Sequence, residues 1–352
     1  MAKILNKKMT EQKKKNEILY LSFNKDKTCL SLGMKTGYRI YDLTKKDSLF
    51  FYERILGKSI GIIEMLEKTN ILGLVGGSEE HLSPKILNIY DDNKGENIAE
   101  IKFKSTILHV RLRKDIILVI LENLIYLIDT LEFKAFDAIE LGYQKQKNVV
   151  FSFTLEPEVK YLAYNYTNQQ KNEIKINSYD KENERNQIEL KTKYFNNPIL
   201  CMEFDKEGKI LAVSAKNNDY LLIYRVDDGI PVCKCHLNSN SLNSLCISFE
   251  KNNDFLCVSL DDGEIVIFNI KSLNEGLKEF NQNSKLIKEE IWSKFYLPEK
   301  KAICTFTGYE IGVDHIICIG TKGNYYLVKF NCLQKESLAL KISEKYILRP
   351  EN

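Results

Sequence analysis

The chain has 352 residues, 44% of them hydrophobic and 28% charged, and a formal net charge of +3. That length supports a large core, and the near balance of signs excludes the strongly basic face with which a protein grips nucleic acid. The longest apolar run, Ile116 to Leu121, stops at Glu122 and falls far short of the ~20 residues that a membrane-spanning helix needs.

Residues 1–16, with Lys3, Lys7, Lys8 and Lys13 to Lys15, read as a basic disordered tail, and no signal peptide is expected. From residue 17 to 348 short apolar-alternating runs follow one another, separated by polar turns, which is the period-two pattern of strands. The clearest copy is Leu245 to Phe249, Phe255 to Leu260, the turn Asp261-Asp262-Gly263, and Glu264 to Asn269. The same grammar recurs at Leu19 to Asp42, where Gly37 suits a tight hairpin turn, and through the rest of the chain. Repetition at this period predicts an all-β, seven-bladed propeller of the WD40 kind, forming one domain. Its blades are expected near residues 17–45, 60–104, 105–141, 149–194, 198–236, 242–297 and 302–348.

Chemistry has little to work with. The histidines are His81, His109, His236 and His315, and none has a partner at metal-ligand or triad spacing. Cys233, Cys235 and His236 form a short cluster with no second ligand pair, so an outer strand with incidental thiols is the simpler reading. Most cysteines lie inside predicted strands, as small hydrophobes suited to a reducing cytosol. The run Arg111-Leu112-Arg113-Lys114-Asp115 reads as a solvated hairpin turn. No enzyme activity, metal or cofactor is expected.

Val75-Gly76-Gly77, Ser83-Pro84-Lys85 and Ile89-Tyr90-Asp91-Asp92 resemble the second blade, and Val110 to Asp115 with Val119 to Tyr126 the third, of the PROPPIN family of autophagy propellers. Phe23-Asn24, Gly33 and Gly37 to Tyr41 resemble the first blade, and Trp292 to Ala302, with Leu297-Pro298-Glu299, resembles the start of the seventh. The resemblance implies binding of phosphatidylinositol 3-phosphate and its 3,5-bisphosphate through two basic pockets on blades five and six, with a Phe-Arg-Arg-Gly hallmark. Here that hallmark falls on Cys235-His236-Leu237-Asn238, without either arginine. An arginine fork contributes roughly 1.5–3 kcal/mol per charge-assisted bond to a phosphate, and leucine contributes none. The family's other polar pocket positions correspond to Phe195, Ala215, Asp219 and Leu222 in blade five, and to Leu260, Glu264 and Val266 in blade six. Asp219 and Glu264 would repel a phosphate. Headgroup binding is therefore expected to be weakened or lost, the alternative being a pocket rebuilt from Lys216, Lys234 or Lys251.

Two loops complete the expectation. Residues 271–293 correspond to the family's membrane-inserting loop, and Leu273, Leu277 and Phe280 recur at i, i+4 and i+7, with Leu286, Ile287, Ile291 and Trp292 beyond. That stretch is either a short amphipathic helix lying on a membrane or one docked on the propeller. The blade-two loop, with Ser83, Pro84 and Lys85, resembles the family loop that contacts an autophagy lipid-transfer protein. The expected protein is a cytoplasmic, monomeric scaffold, peripheral on autophagic or endosomal membranes, that recruits protein partners. The alternative is a working phosphoinositide effector.

Overall fold

The computed structural model describes residues 17–44, 50–78, 82–142, 149–154, 156, 158–168, 171–180, 183–190, 197–237, 243–277, 284–306, 315–321, 323–333, 335 and 341–346. Its regular structure is almost entirely antiparallel sheet, in seven sheets that are the blades of a β-propeller. By contacts, the chain divides into two compact units that meet in sequence between Glu140 and Leu141.

The first unit holds three blades. Blade one is β1 (Ile18–Phe23), β2 (Cys29–Met34), β3 (Gly37–Asp42) and β4 (Phe50–Ile55); blade two is β5 (Ile60–Met65), β6 (Ile71–Gly76), β7 (Ile86–Asp91) and β8 (Glu96–Lys102). Blade three is β9 (His109–Leu112), β10 (Ile116–Ile120), β11 (Leu124–Asp129) and β12 (Ala135–Glu140). Blade one, bounded near residue 45 by its sequence pattern, thus runs on to Ile55, because β4 pairs with β3 from Gly37↔Ile55 to Asp42↔Phe50. Gly37 has φ +154°, and a Cβ there would lie 2.0 Å from the Arg54 carbonyl oxygen, so only glycine lets β4 approach.

The second unit holds four. Blade four is β13 (Phe151–Phe153), β14 (Tyr161–Asn168), β15 (Lys171–Tyr179) and β16 (Arg185–Glu189); blade five is β17 (Ile199–Phe204), β18 (Ile210–Ala215), β19 (Tyr220–Arg225) and β20 (Ile230–His236). Blade six is β21 (Ser244–Phe249), β22 (Phe255–Leu260), β23 (Glu264–Asn269) and, after a long connection, β25 (Ile291–Tyr296). That connection contains the helix α1 (Lys271–Gly276) and a three-residue strand, β24 (Ile287–Glu289). Blade seven is β26 (Ala302–Phe306), β27 (His315–Gly320), β28 (Asn324–Lys329) and β29 (Lys341–Tyr346).

Strands bury both faces where a blade stands between two others, and the period-two rule then sends alternate side chains to different cores. Along β22, Leu256, Val258 and Leu260 join a cluster with β18, β19 and β20, while Phe255 and Cys257 join another with β26, β27 and β28. The turns between first and second strands repeat one device. Gly208 and Asn253 adopt the left-handed backbone, at φ 69° and 61°, as does Lys27 in blade one at 61°. Asn253 also donates from Nδ2 to the Asp205 carboxylate, 2.9 Å away, which ties the turn of blade six to that of blade five.

Candidate functional site

The stretch read as the hallmark, Cys235 to Asn238, begins near the end of β20 in blade five. Cys235 is fully buried at the end of β20, and His236, half-buried, pairs with Tyr220 across the β19–β20 ladder. Leu237 is 3% exposed, packs in the core shared by blades five and six, and donates its amide to the Asp219 carbonyl at 2.7 Å. Asn238 lies outside the described residues, as does Phe195. The remaining positions are apolar and hidden: Ala215, Leu222, Leu260 and Val266 are all buried. Glu264 is buried too, and its carboxylate accepts from Lys294 Nζ at 2.9 Å. Asp219 is half-buried at the β18–β19 turn. Among the described residues these positions supply hydrocarbon, the Asp219 carboxylate and the paired Glu264, and no guanidinium.

The three lysines are separated. Lys216 and Lys251 are exposed, one in the β18–β19 turn and one in the β21–β22 turn, at opposite ends of equivalent hairpins. Lys234, midway along β20, stands with Nζ 3.8 Å from the centroid of the Tyr220 ring.

The 271–293 stretch is not one helix. α1 ends at Gly276, whose helix propensity is poor, and its N-terminus at Ile270 lacks a side-chain cap. Leu273 is fully buried and Leu277 packs against the same core; Phe280 falls outside the described residues. Farther on the chain is extended, because β24 adds to blade five in parallel, with Cys233↔Ile287, Lys234↔Lys288 and Cys235↔Glu289. Trp292 belongs to β25, packs edge-on against Phe255 with centroids 6.0 Å apart, and donates Nε1–H to the Asn331 carbonyl at 2.8 Å. Beside α1 a cavity of about 270 Å³ opens between the β17–β18 and β21–β22 turns, lined by Asp205, Glu207, Lys209, Asp254, Lys271 and Glu275.

In the blade-two loop, Ser83 and Pro84 are half-buried and Lys85 is exposed. The Ser83 hydroxyl accepts the Lys85 amide at 3.2 Å, while the Pro84 and Lys85 carbonyls accept the amides of Ile107 and Phe103, both at 2.9 Å. A Cβ on Gly76 would lie 1.5 Å from the Leu82 carbonyl oxygen, so the loop rests directly on the β6 backbone.

The run from Arg111 to Asp115 departs from the solvated turn expected of it. Arg113 is 3% exposed and forks onto Asp115, at 2.6 and 2.9 Å. Arg111 reaches from β9 to the buried Glu64 of β5 at 3.2 Å, and the Ser22 hydroxyl of β1 donates to the same carboxylate at 2.7 Å. Burial raises the carboxyl pKa of Glu64, with Arg111 opposing. His109, on the same strand as Arg111, is pushed down to about 4 by burial and then by that guanidinium. Charges of both signs within one sequence run look solvated until the fold shows that the partner lies on another blade.

Among the described residues no group of three or more His, Cys, Asp or Glu could hold a metal ion, and no helix is long and apolar enough to cross a membrane. Cys233 and Cys235 stand with sulfurs 3.8 Å apart, fully buried on β20. Their alternation on one strand face was legible in the sequence; the strand that covers their edge was not.

Comparison with known proteins bears on the family and the fold. The PROPPIN family model matches residues 18–299. Autophagy-related protein 18 of Komagataella pastoris is 25% identical over 309 residues, covering 76% of this chain and 55% of that protein. WD repeat domain phosphoinositide-interacting protein 1 of Xenopus laevis is 23% identical over 265 residues, covering 75% and 59%. The chain thus spans little more than half the length of these relatives. Among solved structures, Kluyveromyces lactis Hsv2 aligns at TM-score 0.77 with 16% identity, over 94% of this chain and 99% of that one. A complex of KlAtg21 with the coiled-coil of AgAtg16 aligns at TM-score 0.75 with 18% identity, over the same shares. These structural likenesses establish the fold.

Proposed function

The chain belongs to the PROPPIN family of autophagy proteins, and from that premise we propose that it is a non-enzymatic scaffold in autophagy or endolysosomal membrane traffic, recruiting protein partners through propeller loops, with phosphoinositide binding weakened or lost. One observation carries the reading. Leu237, at a hallmark arginine position, is buried in the core between blades five and six, and the neighbouring pocket positions Leu222, Leu260 and Val266 are buried hydrocarbon. Among the described residues none of these positions carries the arginine fork that grips a phosphate, and Glu264 already holds Lys294.

A protein-partner role is supported in kind by a similar fold, KlAtg21, having been solved with the coiled-coil of AgAtg16. In this chain the firmly seated Ser83-Pro84-Lys85 loop offers a preformed surface with one exposed cation. The second reading, a rebuilt pocket, is favoured by Lys234 stacked over Tyr220, whose ladder partner is His236.

Co-sedimentation with liposomes carrying phosphatidylinositol 3-phosphate, its 3,5-bisphosphate, or neither, at physiological salt, decides between them. Equal pelleting with all three is expected. Headgroup-dependent pelleting overturns the loss of binding and favours the rebuilt pocket.

A further inference from the structure

Among the described residues six of the seven sheets have four strands and blade five has five. A blade's outer strand leaves a row of backbone donors and acceptors open, and proteins usually protect such an edge with charge. The outer strands of the first unit do so, with Glu53 on β4, Glu100 on β8 and Asp137 on β12. β20, Ile230-Pro231-Val232-Cys233-Lys234-Cys235-His236, carries one charge, Lys234, and no carboxylate, and this is the edge that β24 covers.

The cover is slight. Three residue pairs hold it, and Leu286 and Ile287 are only half-buried, Leu286 against the core of blades four and five and Ile287 against that of five and six. Two side chains fasten the segment leading to it. Arg225 Nη1 donates to the Leu277 carbonyl at 3.0 Å, and the Ser272 hydroxyl donates to Glu289 at 3.0 Å. The segment is thus an extended stretch of apolar then charged residues, Leu286-Ile287-Lys288-Glu289, laid along an apolar sheet edge, which is how a linear peptide docks by strand addition.

We propose that the outer edge of β20 is a strand-docking groove for an extended peptide segment, two apolar residues followed by charged ones, from a protein partner, and that β24 is its occupant in cis. The occupant specifies the chemistry. Backbone pairing with residues 233–235 supplies attachment, the sites of Leu286 and Ile287 select apolar side chains, and the exposed position of Lys288 tolerates charge. A partner segment competes with β24, so its apparent affinity is scaled down to the fraction of molecules in which β24 is undocked. This surface is separate from the blade-two loop and requires no lipid headgroup.

The test uses a fluorescent peptide of Ser284 to Glu290 as the probe and fluorescence anisotropy as the readout, with the wild-type chain and the double variant Leu286→Ser, Ile287→Ser. The peptide is expected to bind the variant about tenfold or more tighter than wild type, and the same peptide carrying Ile287→Asp to bind neither. Equal affinity for both proteins, or no binding to the variant, overturns the proposal. Should the double variant lose the wild-type circular dichroism spectrum, Arg225→Ala with Ser272→Ala releases the two fastenings while leaving both apolar side chains, and the same outcomes decide.

Discussion

Arg225 and Leu277 are joined across 52 residues of sequence: the guanidinium at the end of β19 donates to the carbonyl just past α1, while its other nitrogens hold the Asp228 carboxylate. The long connection of blade six is thereby tied to blade five at its start, and β24 ties it again near its end.

Replacing Arg225 with alanine removes the first tie and frees Asp228 to solvent. Arg225→Ala is expected to cost about 1 kcal/mol in urea-induced unfolding, the scale of one charge-assisted bond at a half-exposed site. In hydrogen exchange, the amides of Leu273 to Leu277 should lose protection ahead of the rest of blade six. Unchanged exchange there would show that α1 is held by the burial of Leu273 alone.

Placing arginine at each of the two positions read as the hallmark arginines, His236 and Leu237, separates them. His236→Arg lies on a half-exposed site and should leave stability within about 0.5 kcal/mol. Leu237→Arg forces a cation into an apolar core and is expected to cost about 3 kcal/mol or more, without creating headgroup binding. Thermal unfolding together with liposome pelleting reads both outcomes, and a stable Leu237→Arg protein would show that the side chain can swing outward.

Gly76→Ala is expected to displace the Leu82 to Lys85 loop, since the new methyl would overlap the Leu82 carbonyl oxygen. The cost should be about 2–3 kcal/mol, with hydrogen exchange at Ile86 and Ile107 rising more than elsewhere in blade two.

His109 gives blade three a signature in pH. Burial and then Arg111 hold its folded pKa at about 4, below the ordinary histidine value of 6.5, so the unfolded chain binds more protons between these values. Its contribution is therefore complete above pH 6.5 and is lost as pH falls toward 4. Between pH 7 and pH 5 the loss is at most about 2 kcal/mol. Glu64, raised by burial, works oppositely, its contribution falling as pH rises above the ordinary glutamate value. Comparing His109→Gln with wild type by urea unfolding at both pH values isolates the histidine, and parallel behaviour of the two would refute its lowered pKa.

The inner strands were legible because burial on both faces demands unbroken apolar runs, as in Ile116 to Ile120 or Phe255 to Leu260. The outer strand β4 was not, since Glu53 and Arg54 give it the composition of a loop; Arg39, 6% exposed and bonded to Glu53 at 2.7 Å, explains why charge is tolerated there. The connection after blade six misled for a different reason. Leu273 and Leu277 do share a helical face, but the pattern continued past Gly276 only by coincidence of spacing, and Ile287 and Trp292 answer instead to strands. The apolar character of Leu222, Leu237, Leu260 and Val266 was legible in identity. That Leu237 points into the core required the fold.

The alternation along β22 carries a consequence for mutagenesis. Leu256 and Cys257 are covalent neighbours, yet one reports on the seam with blade five and the other on the seam with blade seven. Truncations at these two positions should combine almost additively, whereas Leu256 and Leu221, thirty-five positions apart in sequence and members of one cluster, should not. In such a strand, linear distance is a poor guide to epistasis, and parity of position is a good one.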